Sequence, residues 1–361
     1  MRSLFHRRIR TIVPYEPPPP LDQLREEIGA EILRLSANES PLGPSPLAAA
    51  AIRNEASRAH LYPDGGAQTL RDALAKRLGL TPAHLLLGNG ADELIGLVAR
   101  ACLGPRDEVA VPYPAFEPYE TAARVMGAKI VRSPLRDYRI DLQDLLAKVS
   151  RRTKAVFLTN PHNPTGSAIR RAELDLFLGA LPPDPLLILD EAYWEFAETP
   201  DFPAGTELLP RRPRLLILRT FSKIAGLASL RIGYAIGAPS LTRELNRIRE
   251  PFNVNRLAQV AALAALGDVD HQERTRAVVR EEREFLAGEY RRRGLRPVPS
   301  QANFLLVEVG PESAVLSDRM RKEGILVREG GGVGFPGHLR IAVGTREQNL
   351  RMLDALDRAR G

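Results

Sequence analysis

Residues 214–237, RLLILRTFSKIAGLASLRIGYAIG, decide the fold. Residues 215–218 form a short apolar run of the kind that makes a buried strand, residues 219–227 are small, polar and turn-like, and residues 231–237 are a second apolar run. Lys223 therefore falls on a loop just past a buried strand end, where open α/β sheets present their chemistry. The chain has 51 Lys+Arg but few lysines, and the other five (Lys76, Lys129, Lys148, Lys154 and Lys322) read as surface residues. Thr220 and Ser222 precede Lys223, and Arg231 follows it among apolar neighbours. Desolvation or nearby positive charge lowers a lysine's pKa and makes it a nucleophile and base toward an aldehyde. Two hydroxyls and an arginine suit a dianionic phosphate. Taken alone, a loop lysine reads better as a surface residue; the motifs on either side change that.

Outward from this stretch, strands and helices alternate. Strands are expected at 85–87, 108–111, 129–132, 153–160, 186–192 and 215–220, with helices at 90–102, 119–126, 141–149 and 170–180 between them. Such alternation predicts an α/β fold whose large domain is a mostly parallel, doubly wound sheet covered on both faces. N-terminal to it, residues 1–20 read as an extended arm ending in PPPP. Helices follow at 21–29, 47–58 and 67–78, a strand at 31–35, and a proline-punctuated loop at 36–46. C-terminal to it, 240–293 reads as helical, with a long charged stretch carrying the chain between domains. Strands at 303–309, 325–328 and 338–344 with helices at 313–323 and 346–359 make a smaller α+β domain. The expected division is 1–45 as arm and part of the small domain, 46–255 as the large domain, and 256–361 as the rest of the small domain.

Composition narrows the function. Hydrophobic content of 44% and charge of 26% are those of a globular protein, and no apolar run has membrane-span length. The basic N-terminus lacks the apolar core and cleavage site of a secretory signal, and the single cysteine, Cys102, fits a reducing cytoplasm. The net charge of +7 is scattered and interleaved with acids, without a nucleic-acid-binding signature, so an anionic small-molecule substrate is the more economical reading.

Three strand-end motifs carry the chemistry. TNPHNPTG, 159–166, follows a strand, and Pro164 and Gly166 shape a tight turn that holds the Asn163 amide. LLILDEAYWEF, 186–196, ends a strand on Asp190, a costly place for an acid without a cationic partner. With Lys223 these fall at the ends of three strands and converge only if the sheet aligns those ends. GNGADELI, 88–95, opens a helix after a strand, where free N–H groups suit a phosphate. PAFEPYE, 114–120, places Phe116 after the next strand as a stacking aromatic, with Tyr113 as a competing register.

In this order the motifs resemble those of pyridoxal-phosphate-dependent aminotransferases of the aspartate aminotransferase fold, fold type I. The likeness is greatest to histidinol-phosphate aminotransferases and runs from about residue 12 through SANESPLGPSP, REPFNVNRLAQ and SQANFLLVEV. The resemblance implies a pyridoxal 5'-phosphate cofactor held by Gly90, Ala91, Asp92, Phe116, Asn163, Asp190, Tyr193, Thr220, Ser222, Lys223 and Arg231. Lys223, Asp190 and Tyr193 would be catalytic: Asp190 keeps the pyridine nitrogen protonated, while Asn163 and Tyr193 bond the ring oxygen. Arg340, Arg328, Tyr15 and Asn38 would bind substrate. Tyr62, in LYPDGG, would reach the partner's cofactor phosphate, which implies a homodimer with shared sites. The implied activity is transfer of an amino group from histidinol phosphate to 2-oxoglutarate in histidine biosynthesis. An aromatic aminotransferase and a threonine-phosphate decarboxylase-like enzyme are the alternatives. No metal is expected. Two departures are EGGGVG at 329–334, richer in glycine than the family suggests, and Ser229 in LAS where LAG is usual.

Overall fold

The computed structural model describes residues 4–14 and 19–361, so Tyr15 lies outside the described residues. The chain opens with a 3-10 turn, Arg7–Thr11, helix α1, Leu21–Ile28, and a two-residue strand β1, Leu33–Arg34. Helices α2, Pro46–Glu55, and α3, Gln68–Leu78, lead to the large sheet. Its strands are β2, Leu85–Gly88, β3, Glu108–Tyr113, β4, Lys129–Pro134, β5, Thr153–Thr159, β6, Leu186–Asp190, β7, Leu215–Thr220, and β8, Gly233–Gly237. Crossovers between β2 and β6 carry α4, Gly90–Cys102, α5, Pro118–Met126, α6, Leu142–Ala147, and α7, Arg171–Ala180.

The seven strands lie in the order β2-β8-β7-β6-β5-β3-β4. From β7 to β4 all pairs are parallel, while β8 runs against both its neighbours. No crossover helix joins β7 to β8, only the Lys223 loop, and a chain returning directly can pair only antiparallel. Alternation along each strand divides its residues between two faces. Val156, Leu158, Leu187, Leu189 and Ile217 enter one apolar cluster; Phe157, Leu186, Ile188, Leu216 and Leu218 enter the other. Both faces are covered, so these strands read as unbroken apolar runs.

After α8, Pro239–Asn246, come α9, Arg256–Gly267, and the long α10, Val269–Arg292. The helical stretch expected over 240–293 is thus interrupted at 247–255: Pro251 cannot continue a helix, and Asn255 caps α9 by accepting from the Ala258 N–H. The smaller sheet has the order β12-β13-β10-β9, from β9, Arg296–Pro297, β10, Phe304–Glu308, β12, Arg328–Glu329, and β13, His338–Ala342. Helices α11, Ser313–Lys322, and α12, Arg346–Arg360, pack beside it, and β11, Ile325–Leu326, pairs parallel with β1. Only Leu33 and Arg34 find strand partners, so the strand expected over 31–35 shrinks to two residues. Ala258, Ala261, Ala262 and Ala265 of α9 sit in the large core; along α10, Val279 belongs to that core while Leu286 and Tyr290 belong to the small one.

Candidate active site

The parallel register sets the floor of the site. Thr159 on β5 stands beside Asp190 on β6, and Asp190 beside Leu218 on β7, which runs on to Thr220, so three adjacent strands bring their C-terminal ends to one edge of the sheet. Asn163, Asp190 and Lys223 consequently line one cleft of about 1250 Å³. Asp190 is 3% exposed. Its carboxylate accepts from Tyr119 Oη at 2.5 Å and from the Ala192 N–H at 2.9 Å. Burial pushes its pKa up from 3.8 to about 6, against the pull of those two donors. No lysine or arginine lies within ion-pair distance of it among the described residues. A buried carboxylate without a cation is costly, and a protonated ring nitrogen is the kind of group that relieves the cost.

Lys223 Nζ donates to the carbonyls of Ala37 (3.2 Å) and Asn38 (3.0 Å) and stands 5.5 Å from the centre of the Tyr193 ring. Asn38, itself at φ +55°, donates through Nδ2 to Tyr193 Oη. The loop around Lys223 is close to the segment facing it: a Cβ on Gly226 would stand 2.1 Å from the Gly43 carbonyl. At the sheet edge Arg231 crosses over Gly90, where a Cβ would come within 2.7 Å of its Nη2. Gly90, at φ +79°, begins α4 without a side-chain cap, and Arg231 pairs with Asp92 at 2.8 Å. Thr220 Oγ1 and Ser222 Oγ lie 2.9 Å apart beside them. A helix N-terminus, an arginine and two hydroxyls form a donor set of the kind a phosphate takes. With Asp190 at the other end, these residues fit a phosphorylated pyridine aldehyde.

The roof is arginine. Arg340 Nη1 donates to Asn163 Oδ1 at 2.6 Å and Nη2 to the Ser36 carbonyl at 3.0 Å, while its buried Nε has no partner. Because the guanidinium occupies Oδ1, the Asn163 Nδ2 is the end left to donate to a ring oxygen. Arg328 faces Arg340 directly across β12–β13. Burial lowers the Arg340 pKa, and Arg328 pulls it the same way. Neither arginine has a carboxylate within ion-pair distance among the described residues.

Tyr62 is not brought into this cleft: it is 79% exposed and stacks on Phe252 with ring centres 4.8 Å apart. Phe116 lines the cleft and meets Tyr119 edge-on at 5.6 Å. Reading the sequence missed Tyr119, whose ring stacks on Phe157 and whose hydroxyl also reaches Thr159 at 2.9 Å. It missed Asn303 too, which is fully buried and donates to the Asn38 carbonyl at 3.1 Å. Its only signal was a polar residue just before an apolar run.

With this geometry in place, the comparisons with known proteins are specific. The model of the aminotransferase class I and II family matches residues 30–356, and the chain belongs to that family. The chain is 44% identical to the histidinol-phosphate aminotransferase of Symbiobacterium thermophilum, with 98% of each chain covered. It is 42% identical to that of Moorella thermoacetica, with 96% of this chain and 91% of the relative covered. The crystal structure of the Sinorhizobium meliloti histidinol-phosphate aminotransferase, in complex with pyridoxal-5'-phosphate, superimposes with a TM-score of 0.90 at 32% identity. That match covers 99% of this chain and 98% of that one.

Proposed function

We propose that the protein transfers an amino group from histidinol phosphate to 2-oxoglutarate, using pyridoxal 5'-phosphate, as a homodimer in the cytoplasm. The observation that carries the substrate class is the Arg328–Arg340 pair. Like charges directly opposite on neighbouring strands repel. A doubly charged anion between them turns that repulsion into two forked contacts. A phosphate monoester and a dicarboxylic keto acid both meet this demand, so one roof serves donor and acceptor. The named relatives support the choice of histidinol phosphate.

When bound, the cofactor supplies an aldehyde for the amino group and an electron-withdrawing ring. Gly90, Ala91, Thr220, Ser222 and Arg231 would hold its phosphate. Phe116 would stack on its ring. Asp190 would hold the proton at the ring nitrogen, with Tyr119 fixing the carboxylate. Asn163 and Tyr193 would orient the ring through its oxygen. Lys223 Nζ takes the proton from the substrate's α-carbon. The reach from its carbonyl partners sets the amine over the cleft rather than in solvent. Asn38, tied to Tyr193 and Asn303, shapes the wall beside the substrate. The exposed Tyr62–Phe252 pair supports the reading that Tyr62 completes a partner's site.

The test is a steady-state comparison of histidinol phosphate, phenylalanine and threonine phosphate as donors, with wild type and Lys223→Ala. Preference for histidinol phosphate, lost in the variant, is expected. Equal or better use of phenylalanine, or carbon dioxide release from threonine phosphate without a keto acid, rejects the assignment. Sedimentation showing a monomer at assay concentration rejects the dimer.

A further inference from the structure

The loop after Arg328 is built mostly of glycine. Gly330, Gly331, Gly332 and Gly334 leave the backbone free, and Gly331–Gly334 line the roof of the cleft. Such a segment has almost no side chains of its own to pack, so contacts from outside it weigh heavily in holding its shape. Within the loop the ties are short-range and all backbone or carboxylate: Gly330 N–H to the His338 carbonyl, Val333 and Phe335 N–H to the Gly330 carbonyl, Gly334 N–H to the Gly331 carbonyl, and Gly332 N–H to Glu329.

Gly334 packs closely on Pro114, and a second external tie comes from the segment that follows β4. Arg136 and Arg139 bridge a tight hairpin after β4, whose central residues Asp137 and Tyr138 sit at φ +47° and +62°. Asn-Gly is the usual choice there. A tyrosine at positive φ is strained and persists where its surroundings over-determine it. Here they do. Tyr138 Oη lies 3.0 Å from His338 Nε2, and its ring stacks on Phe335 at 5.7 Å. His338 Nδ1 stands 3.0 Å from the Pro336 carbonyl, so Nδ1 donates there and Nε2 accepts from the tyrosine. Ser167 donates to the Tyr138 carbonyl at 3.0 Å, which fastens the hairpin to the turn bearing Asn163. His338 and Arg340 are two residues apart on β13 and share one face. That face therefore grips the large domain twice: Arg340 on Asn163, His338 on Tyr138.

We propose that Tyr138 is a positioning residue for the distal anion of the substrate. By clasping His338 and Phe335 it fixes the glycine loop over the cleft and sets the angle at which Arg328 and Arg340 meet that anion. The inference rests on the reading of a phosphorylated donor given above. It leaves the proton chemistry at Lys223 to other residues.

The experiment uses the holoenzyme and two donors, histidinol phosphate and histidinol, which lacks the phosphate. Tyr138→Ala is expected to raise KM for histidinol phosphate about tenfold and Tyr138→Phe about threefold, with the maximal rate and the KM for histidinol within about twofold of wild type. His338→Ala should match Tyr138→Phe. His338→Gln, whose amide oxygen can still accept from the tyrosine, should restore most of the loss. Equal KM increases for both donors, a fall in maximal rate alone, or no change overturns the proposal. A second readout does not depend on the donor. Amide hydrogen exchange over residues 330–338 should quicken in Tyr138→Ala and stay unchanged around Lys223; unaltered exchange in the loop also overturns it. Wild-type enzyme that shows no preference for the phosphorylated donor rejects the substrate reading instead, and exchange still decides the clasp.

Discussion

On the floor of the cleft, Asp190 and Thr220 end strands in which every residue is buried, and the turn carrying Asn163 is buried along its length. On the roof, Arg328 hangs from a two-residue strand, is exposed, and leads into a run of glycines. The floor is held by two apolar clusters, one against each face of the sheet. On the roof, β13 with Arg340 is buried against the small apolar core, while the glycine loop beyond Arg328 is held by a handful of hydrogen bonds and the stacked ring of Tyr138. On the function proposed above, rigidity sits where a ring would be oriented, and the looser loop where a phosphate and a carboxylate would take turns. Arg340 joins the two regions, since its guanidinium is on the roof and its Nη1 holds the floor's Asn163.

The sharpest way to break this comparison is Lys223→Ala. With the role proposed for Lys223, base at the α-carbon, the change should lower turnover roughly 10³-fold or more while leaving the melting temperature of the cofactor-free protein close to wild type. Asp190→Asn comes next, with turnover down roughly 10²- to 10³-fold. It also has a signature in stability. Burial raises the Asp190 pKa from 3.8 to about 6, so the folded chain holds that proton more tightly than the unfolded one. The group's contribution is greatest below pH 3.8 and is lost as pH rises through 6. Cofactor-free Asp190→Asn should therefore be more stable than wild type at pH 8, by up to about 3 kcal/mol, and no more stable near pH 3.5. Urea titrations at the two pH values check it; a variant less stable at pH 8 would refute the floor's electrostatics.

Arg340→Lys tests the junction. Replacing a planar fork that touches both regions with a point charge should raise KM for 2-oxoglutarate roughly 30- to 100-fold and also lower turnover, because Asn163 loses its anchor. A change in KM alone would separate roof from floor. Arg328→Gln should be milder than these three, with KM for histidinol phosphate up about fivefold and turnover unchanged, since an exposed charge contributes on the order of 1 kcal/mol. An effect as large as that of Arg340→Lys would mean the roof is as fixed as the floor.

The floor was legible in the sequence because its strands are buried on both faces and so appear as unbroken apolar runs, LLILD and LLILRT, each ending in a polar residue. The alternation with helices followed, and with it the parallel order. Antiparallel β8 was less visible, because nothing local distinguishes it from a parallel strand except the missing crossover helix. The break at 247–255 carried its own signal, Pro251 followed by Asn253 and Asn255, which the long helical stretches on either side outweighed in the reading. Tyr119 looked like any apolar residue opening a helix. Its hydroxyl acquires meaning only when β6 brings Asp190 to it, 71 residues later in the chain. The contact of Tyr138 with His338 spans 200 residues and left no local trace, and the opposition of Arg328 to Arg340 depends on strand register alone.

The pairing of Leu33–Arg34 with Ile325–Leu326 has a consequence for how the protein is made. Roughly 290 residues separate the two partners, about 15–60 s of translation at ribosomal speeds. All seven strands of the large sheet emerge inside that interval, whereas β1 must wait, unpaired, for β11. A nascent chain halted before residue 325 would carry all seven strands of the large sheet while Leu33 and Arg34 still lacked their partners.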